Sequence, residues 1–170
     1  MNEFRYKLAH LLAKITGNDE HYANMFRRRG VKIGTNSHIY SNILTGESFL
    51  IEIGNNVTIS SDVIFVTHDN SIIKIDSAKP NLFGKIVVGN NCFIGQRSML
   101  LYGITLADSI IVAAGSVVTK SFDESNIIIG GNPARKISSF EKMATSLDKA
   151  LSRKNIQQVL KEHPDKLVRR

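Results

Sequence analysis

The chain has 170 residues, 42% of them hydrophobic, which is enough for one domain with a core of its own. Its single cysteine excludes a disulfide framework, and no apolar run is long enough to span a membrane, so we expect a cytoplasmic protein. The net charge of +7 is concentrated in residues 135–170, which hold ten lysines and arginines and four acidic residues. A basic tail can meet anions, but a solvated helical face is the better explanation of this one.

Residues 1–30 are predicted to form a helical N-terminal cap. Apolar side chains recur at helical spacing over residues 2–15. Asn18 is placed to cap a second helix, whose last turn is predicted to hold the three arginines 27–29 before Gly30. Cations suit the C-terminal end of a helix dipole, so these arginines need no ligand to explain them.

A six-residue period then organises residues 31–137 and is clearest over residues 88–123, where an aliphatic residue opens every six. The openers are Val88, Ile94, Leu100, Leu106, Val112 and Val118. Six residues make one short strand and one corner, and three such units make one turn of a coil. The openers should point inward and stack, with Ile94 under Val112. Asn and Gly fall where the corners should be, and both tolerate positive φ.

The period is out of phase by two residues over residues 45–52 and breaks altogether over residues 69–85. Because the hexads return after the break, the second segment is predicted to be an excursion from a continuous coil. Loops of that length are usually functional or disordered. His68 stands where the excursion leaves the coil, and Cys92 occupies an inward place that indicates a core residue.

Residues 138–170 are predicted to form a basic C-terminal helical segment. Ser138 and Glu141 have the spacing of a capping box, and the helical pattern runs to Glu162 and stops at Pro164. The apolar face of this segment comprises Phe140, Met143, Leu147, Ala150 and Leu151. An open coil has unpaired strand edges, so we expect the terminal helices to cover its ends or to pack on a neighbouring subunit.

Four strings on the coil resemble those of the hexapeptide-repeat acyltransferases. They are YSN at 40–42, FVTHD at 65–69, AAGSVVTK at 113–120 and GGNPARKI at 130–137. The chain is most similar to bacterial O-acetyltransferases that modify surface glycans, with galactoside and maltose O-acetyltransferases as relatives. The resemblance implies an all-β solenoid, a left-handed parallel β-helix with N-terminal helices and a C-terminal helix. It also implies a homotrimer that binds acetyl-CoA in grooves between neighbouring β-helices.

The resemblance places the reaction at His68, which matches the catalytic histidine of the family. An imidazole can act as a general base near neutral pH. Asn42 matches an asparagine that helps to hold the acceptor or the tetrahedral intermediate, although a corner residue at positive φ is an equally good explanation. Asp69 and Phe93 are predicted to contact the acceptor, since Phe93 stands where some relatives have a substrate-side tryptophan.

The resemblance places coenzyme A on the two C-terminal strings. The predicted contacts are Ala114, Gly115, Ser116, Thr119, Lys120, Arg135 and Lys136. The first three offer backbone groups to the pantetheine arm and the thioester, and the next two lie further along the coenzyme. The last two are cations for its phosphates, with solvated surface charge as the alternative for each cation. Gln96 and Arg97 receive no assignment.

The predicted function is transfer of an acetyl group from acetyl-CoA to a sugar hydroxyl of a surface-glycan precursor (O-antigen, capsule or exopolysaccharide), by direct attack with His68 as base. An antibiotic O-acetyltransferase and a nucleotide-sugar N-acetyltransferase are alternatives.

A zinc site of the carbonic anhydrase kind needs three converging histidines, and the coil holds only His38 and His68, so no metal is expected. A structural hexapeptide protein has no need of the two C-terminal strings. Nucleic acid is not an expected partner, because only the basic tail favours it.

Overall fold

The structure is a computed structural model that describes residues 8, 11, 20–145 and 156–163. Several expectations lie outside these residues: the helix over 2–15 apart from residues 8 and 11, the cap at Asn18, the stop at Pro164, and the apolar positions Leu147, Ala150 and Leu151. Among the described residues, no helix has the length and apolar character that a membrane span requires.

The described residues form fifteen short strands. In chain order they are β1 (Lys32–Ile33), β2 (His38–Ile39), β3 (Ile51–Ile53), β4 (Thr58–Ile59), β5 (Ile64–Phe65), β6 (His68–Asp69), β7 (Leu82–Phe83), β8 (Ile86–Val88), β9 (Phe93–Ile94), β10 (Met99–Leu100), β11 (Ile104–Leu106), β12 (Ile110–Val112), β13 (Val117–Val118), β14 (Ile127–Gly130) and β15 (Arg135–Ser139). The α-helices are α1 (Glu20–Arg27), α2 (Phe140–Ala144) and α3 (Ile156–Glu162), and the 3-10 turns are Ser48–Leu50 and Ser71–Lys74.

Twelve of the strands form three parallel sheets that the chain visits in rotation, while β6 and β7 pair with each other and β15 pairs antiparallel with β14. The first sheet has the order β1-β3-β8-β11, the second contains β2-β4-β9-β12-β14, and the third has the order β5-β10-β13. A chain that passes repeatedly from the first sheet to the second and then to the third is a three-sided coil. The predicted stacking is confirmed, because Ile94 pairs with Val112 and Val88 with Leu106.

Aliphatic columns inside the coil form its core. In the second sheet the register stacks one inward residue per turn, and the column comprises Ile39, Ile59, Ile94, Val112 and Ile129. Each of these side chains is buried. Cys92 is also buried, where its Sγ donates to the carbonyl oxygen of Ala107 at 3.3 Å, and burial raises the pKa of the thiol. The cysteine is therefore a core residue, as the pattern predicts.

The corners adopt the positive φ that their residues predict. One corner column has φ between 54° and 61° in every turn, at Asn36, Asn56, Asn91, Ser109 and Asn126. The amides also form a ladder along the coil, in which Asn36 Nδ2 donates to Asn56 Oδ1 at 3.1 Å. Arg97 occupies a second corner with φ of 59°, and its Nε lies 3.7 Å from Oδ2 of Asp62. This position accounts for Arg97 without a ligand.

Two boundaries of the terminal helices differ from the predictions. Helix α1 ends at Arg27, so Arg28 and Arg29 lie in the turn before Gly30 rather than in the last helical turn. The cap of α2 is Ser139, whose Oγ accepts from the Lys142 amide at 3.3 Å. Ser138 is held by pairing with β14, because β15 continues to Ser139.

The excursion over residues 69–85 leaves and rejoins the coil at one corner. It begins and ends with the antiparallel pair β6–β7, in which His68 pairs with Phe83. The amide of Gly84 donates to the Thr67 carbonyl at 3.1 Å and closes the loop. A Cβ at Gly84 would lie 2.4 Å from the Gly103 amide nitrogen, so only glycine allows this close approach to the next turn.

Candidate functional site

His68 lies at the corner that follows the third sheet, with its side chain 44% exposed. Its Nδ1 is 2.9 Å from Oε2 of Glu47, a residue from the preceding turn of the coil. Among the residues that the structure describes, none hydrogen-bonds the Nε2 of His68. When Nδ1 carries the proton and donates it to the carboxylate, Nε2 is an open acceptor. This is the arrangement that a general base requires.

Glu47 is held in place by more than the histidine. The hydroxyls of Thr67 and Thr45 donate to the same Oε2 at 2.8 and 3.1 Å. The Thr67 hydroxyl and then the His68 ring keep the pKa of the Glu47 carboxyl below its usual value. Sequence reasoning missed Glu47. The sequence did offer one indication. Glu47 lies in the segment 45–52, where the six-residue period is interrupted and a polar side chain need not follow the inward and outward alternation of the coil.

Asp69 and Tyr102 form a second pair beside His68. Asp69 Oδ1 accepts from the Ser71 amide at 2.8 Å, and Oδ2 accepts from the Tyr102 hydroxyl at 3.3 Å. The Ser71 amide is the main cause of the lowered pKa of Asp69, and partial burial, followed by the Asp69 charge, raises the pKa of Tyr102. Asp69 thus ties the start of the excursion to the next turn, and its contact with an acceptor stays a prediction. The sequence analysis did not single out Tyr102.

Asn42 precedes Glu47 on the same turn of the coil, and its Oδ1 is buried without a hydrogen-bond partner among the described residues. An unpaired buried polar atom costs about 1–3 kcal/mol. Because this oxygen is buried, it does not itself face a ligand, and the role of Asn42 at the reaction centre stays a prediction. Asn42 is not among the residues with positive φ, and the alternative that it is a left-handed corner residue is therefore wrong.

A groove of 460 Å³ lies on the second sheet and the corner after it. Its lining includes Ala113 and Ala114 together with Phe93 and Gln96. Gly95 completes the floor, where a Cβ would come within 2.5 Å of the Ala114 amide nitrogen. The structure thus brings Phe93 next to the residues predicted for the coenzyme and places it on a different face of the coil from His68. Gln96, which had no assignment, lies in the same groove.

The two C-terminal strings lie against each other. The Ala134 amide donates to the Val117 carbonyl at 2.8 Å, and the buried Ser116 Oγ accepts from the Gly131 amide at 3.2 Å. The Ser116 hydroxyl also donates to the Ala113 carbonyl at 2.6 Å, so it is used inside the coil. Gly115 forms the corner with φ of 71°. The backbone of this corner therefore remains the part that can meet a ligand.

The three predicted cations, Lys120, Arg135 and Lys136, are exposed and lie at two places. Lys120 and its neighbour Thr119 follow β13 at the corner that also bears His68, and Lys120 Nζ lies 5.5 Å from the centre of the Phe122 ring. Arg135 and Lys136 are on β15, where Arg135 donates to the Ala134 carbonyl at 2.8 Å and Lys136 is paired with Glu124. Among the described residues, no group of three His, Cys, Asp or Glu side chains is arranged to hold a metal ion.

Comparison with known proteins agrees with this fold. A family profile described as a hexapeptide repeat of succinyl-transferase matches residues 85–120. Protein CapG of Staphylococcus aureus is 43% identical over 126 residues, which cover 71% of this chain and 73% of CapG. Galactoside O-acetyltransferase of Escherichia coli is 28% identical over 108 residues, 63% of this chain and 53% of that enzyme.

Among solved structures, a hexapeptide-repeat acetyltransferase of Vibrio cholerae in complex with acetyl-coenzyme A is similar, with a TM-score of 0.58 and 28% identity. The match covers 65% of this chain and 61% of that one, so the chain spans less than two thirds of this relative and of the galactoside enzyme. The chain belongs to the hexapeptide-repeat acyltransferase family.

Proposed function

We propose that the protein transfers an acetyl group from acetyl-CoA to a hydroxyl of a sugar, in a precursor of a surface glycan. The observation that carries this proposal is the Glu47–His68 pair with an open Nε2. Two relatives support it: one is named for acetyl transfer to a galactoside, and one has a structure with bound acetyl-CoA. The antibiotic and nucleotide-sugar alternatives are not favoured by any contact in the site.

The proposed mechanism is direct transfer. The acceptor hydroxyl donates its proton to His68 Nε2 as its oxygen attacks the thioester carbonyl, and Glu47 stabilises the imidazolium that forms. The Asn42 side-chain amide donates to the oxyanion from the turn of the coil that also carries Glu47. The thiolate of coenzyme A leaves and takes the proton from the imidazolium. Cys92 is buried and unsuited to form an acyl intermediate.

We further infer that the coil is left-handed and that three copies assemble around the site. The predicted coenzyme contacts lie at two different corners of the coil, with Ala114 at the corner before the third sheet and Lys120, like His68, at the corner after it. A groove between neighbouring copies would bring one corner of one copy to the other corner of the next. Light scattering should therefore give three times the chain mass of 18.9 kDa, and a value equal to one chain would refute the assembly.

Lys120 and Arg135 should act on the donor and not on the acceptor. Changing either to glutamine should weaken acetyl-CoA binding by about 1–3 kcal/mol, the usual worth of a charged hydrogen bond, and leave the Michaelis constant of the acceptor nearly unchanged. Calorimetry with acetyl-CoA measures the first quantity. Lys142→Gln, which removes an exposed cation on α2, is the control. Equal affinities for all four proteins would contradict the assignment.

The function is tested by thiol release from acetyl-CoA with a panel of sugars, nucleotide sugars and antibiotics. We expect release above the hydrolytic background with a sugar that carries free hydroxyls, and a product whose mass has increased by one acetyl group on oxygen. Release only with an antibiotic, or acetylation on an amine, would replace the proposed acceptor class. Absence of release with every acceptor would overturn the proposed function.

A further inference from the structure

The excursion places an exposed aromatic ring next to the base. Phe83 is the cross-strand partner of His68, with ring centres 5.7 Å apart and ring planes inclined by 45°. Its side chain is 57% exposed, so the ring is not used to fill the core of the chain. An aromatic ring beside an open Nε2 is a surface on which an acceptor can rest while one of its hydroxyls reaches the base.

This ring is held at a defined place. The residue that follows it, Gly84, approaches the backbone of Gly103 too closely for any side chain, and its amide bonds to Thr67. On the other strand of the pair, Glu47 holds His68 and Tyr102 holds Asp69. Because both strands are tied to the coil, the distance between the ring and the base does not depend on the rest of the excursion. Preorganisation of this kind favours binding.

The chemical character around the ring is mixed. Phe83 offers apolar surface, and its cross-strand partner His68 offers polar ring nitrogens on the same face of the β6–β7 pair, whereas Leu82 and Asp69 point to the other face. A pyranose has the complementary character, since its axial C–H bonds give the ring an apolar face and its hydroxyls give it a polar rim. An open-chain polyol carries as many hydroxyls but has no such face.

We propose that Phe83 is a specificity-determining residue that packs against the C–H face of a pyranose acceptor, so that the site selects ring-form sugars over open-chain polyols. This inference rests on the proposed function, because it names the acceptor class of the same site. It does not depend on which hydroxyl is acetylated.

The experiment compares wild type with Phe83→Ala, Phe83→Leu and Phe83→Tyr, using methyl β-galactopyranoside, methyl α-glucopyranoside and sorbitol as acceptors. Ile75→Ala is the matched control, because Ile75 lies on the same excursion and is 89% exposed. Loss of one aromatic contact should lower kcat/KM for the pyranosides roughly tenfold in Phe83→Ala, mainly through KM. Phe83→Tyr should keep the wild-type value, and Phe83→Leu should fall below it. Turnover of sorbitol, acetyl-CoA affinity and the far-ultraviolet circular dichroism should not change.

Three results would overturn the inference: equal acetylation of sorbitol and pyranosides by wild type, an unchanged KM for pyranosides in Phe83→Ala, or an equal loss in Ile75→Ala. Acetylation of pyranosides that is insensitive to Phe83 removes this inference alone and leaves the proposed function standing. Absence of thiol release with all three acceptors and with the wider panel removes both.

Discussion

Replacing His68 by alanine should lower the acetyl-transfer rate by about 10²–10⁴-fold, the range expected for loss of a general base. The fold and the affinity for acetyl-CoA should be retained, because the histidine side chain is 44% exposed and its removal leaves no cavity in the core. Thiol release under saturating acetyl-CoA measures the rate, and calorimetry measures the affinity. His21→Ala, which removes an exposed histidine on α1, is the control and should have wild-type activity.

The same experiment gives a pH profile. Only the neutral ring accepts a proton, so the wild-type rate should rise with pH and then level off. The pKa of Glu47 is lowered, chiefly by the Thr67 hydroxyl, so its interactions are present above its usual value and are lost only as the pH falls through the lowered value. A rate that falls as pH rises, or wild-type turnover by His68→Ala with the true acceptor, would place the base at another residue.

Changing Glu47 to glutamine should be the second most damaging substitution in the site. The carboxylate accepts from His68 Nδ1 and thereby leaves Nε2 free to act. Glutamine can present its NH₂ group to the ring instead, which puts the proton on Nε2 and makes the histidine useless as a base. In catalytic triads the equivalent change costs up to about 10⁴-fold, so we expect a loss of roughly 10²–10⁴-fold in kcat.

Controls separate this effect from simple loosening of the loop. Thr45→Val removes one of the hydroxyls that hold Glu47 and leaves the carboxylate on the ring, so it should cost far less than Glu47→Gln. The combined variant Glu47→Gln with His68→Ala should be no slower than His68→Ala alone, because the two residues act as a unit. Additive losses in the double variant would mean that Glu47 acts independently of His68.

The coil could be predicted from the sequence because its determinants are local. Each hexad holds its own inward residue and its own corner, so the stack of Ile94 under Val112 follows from counting alone. Ser116 is buried, so its hydroxyl bonds within the coil and only the backbone of its corner is left for a ligand.

The polar partners of the site could not be predicted in this way. Glu47 contacts His68, and Tyr102 contacts Asp69, from neighbouring turns of the coil. The number of residues in these turns depends on the irregular segment 45–52 and on the excursion, and the local sequence does not determine it. The pairing of His68 with Phe83 depends in the same way on how the excursion folds back. Motif resemblance predicts the base, but the geometry around it required coordinates.

The excursion returns to the corner from which it departs, and this has a consequence for how the family can diversify. A hydrogen bond joins Thr67 and Gly84, so the residues between them form a closed loop on the side of the coil. The entropic cost of closing such a loop grows only slowly with its length. Residues between Asp69 and Leu82 can therefore be lengthened, shortened or exchanged without disturbing the stacked turns. The residues proposed to bind the donor lie on the repeating scaffold, whereas the segment next to the proposed acceptor site can change in length and sequence without altering that scaffold.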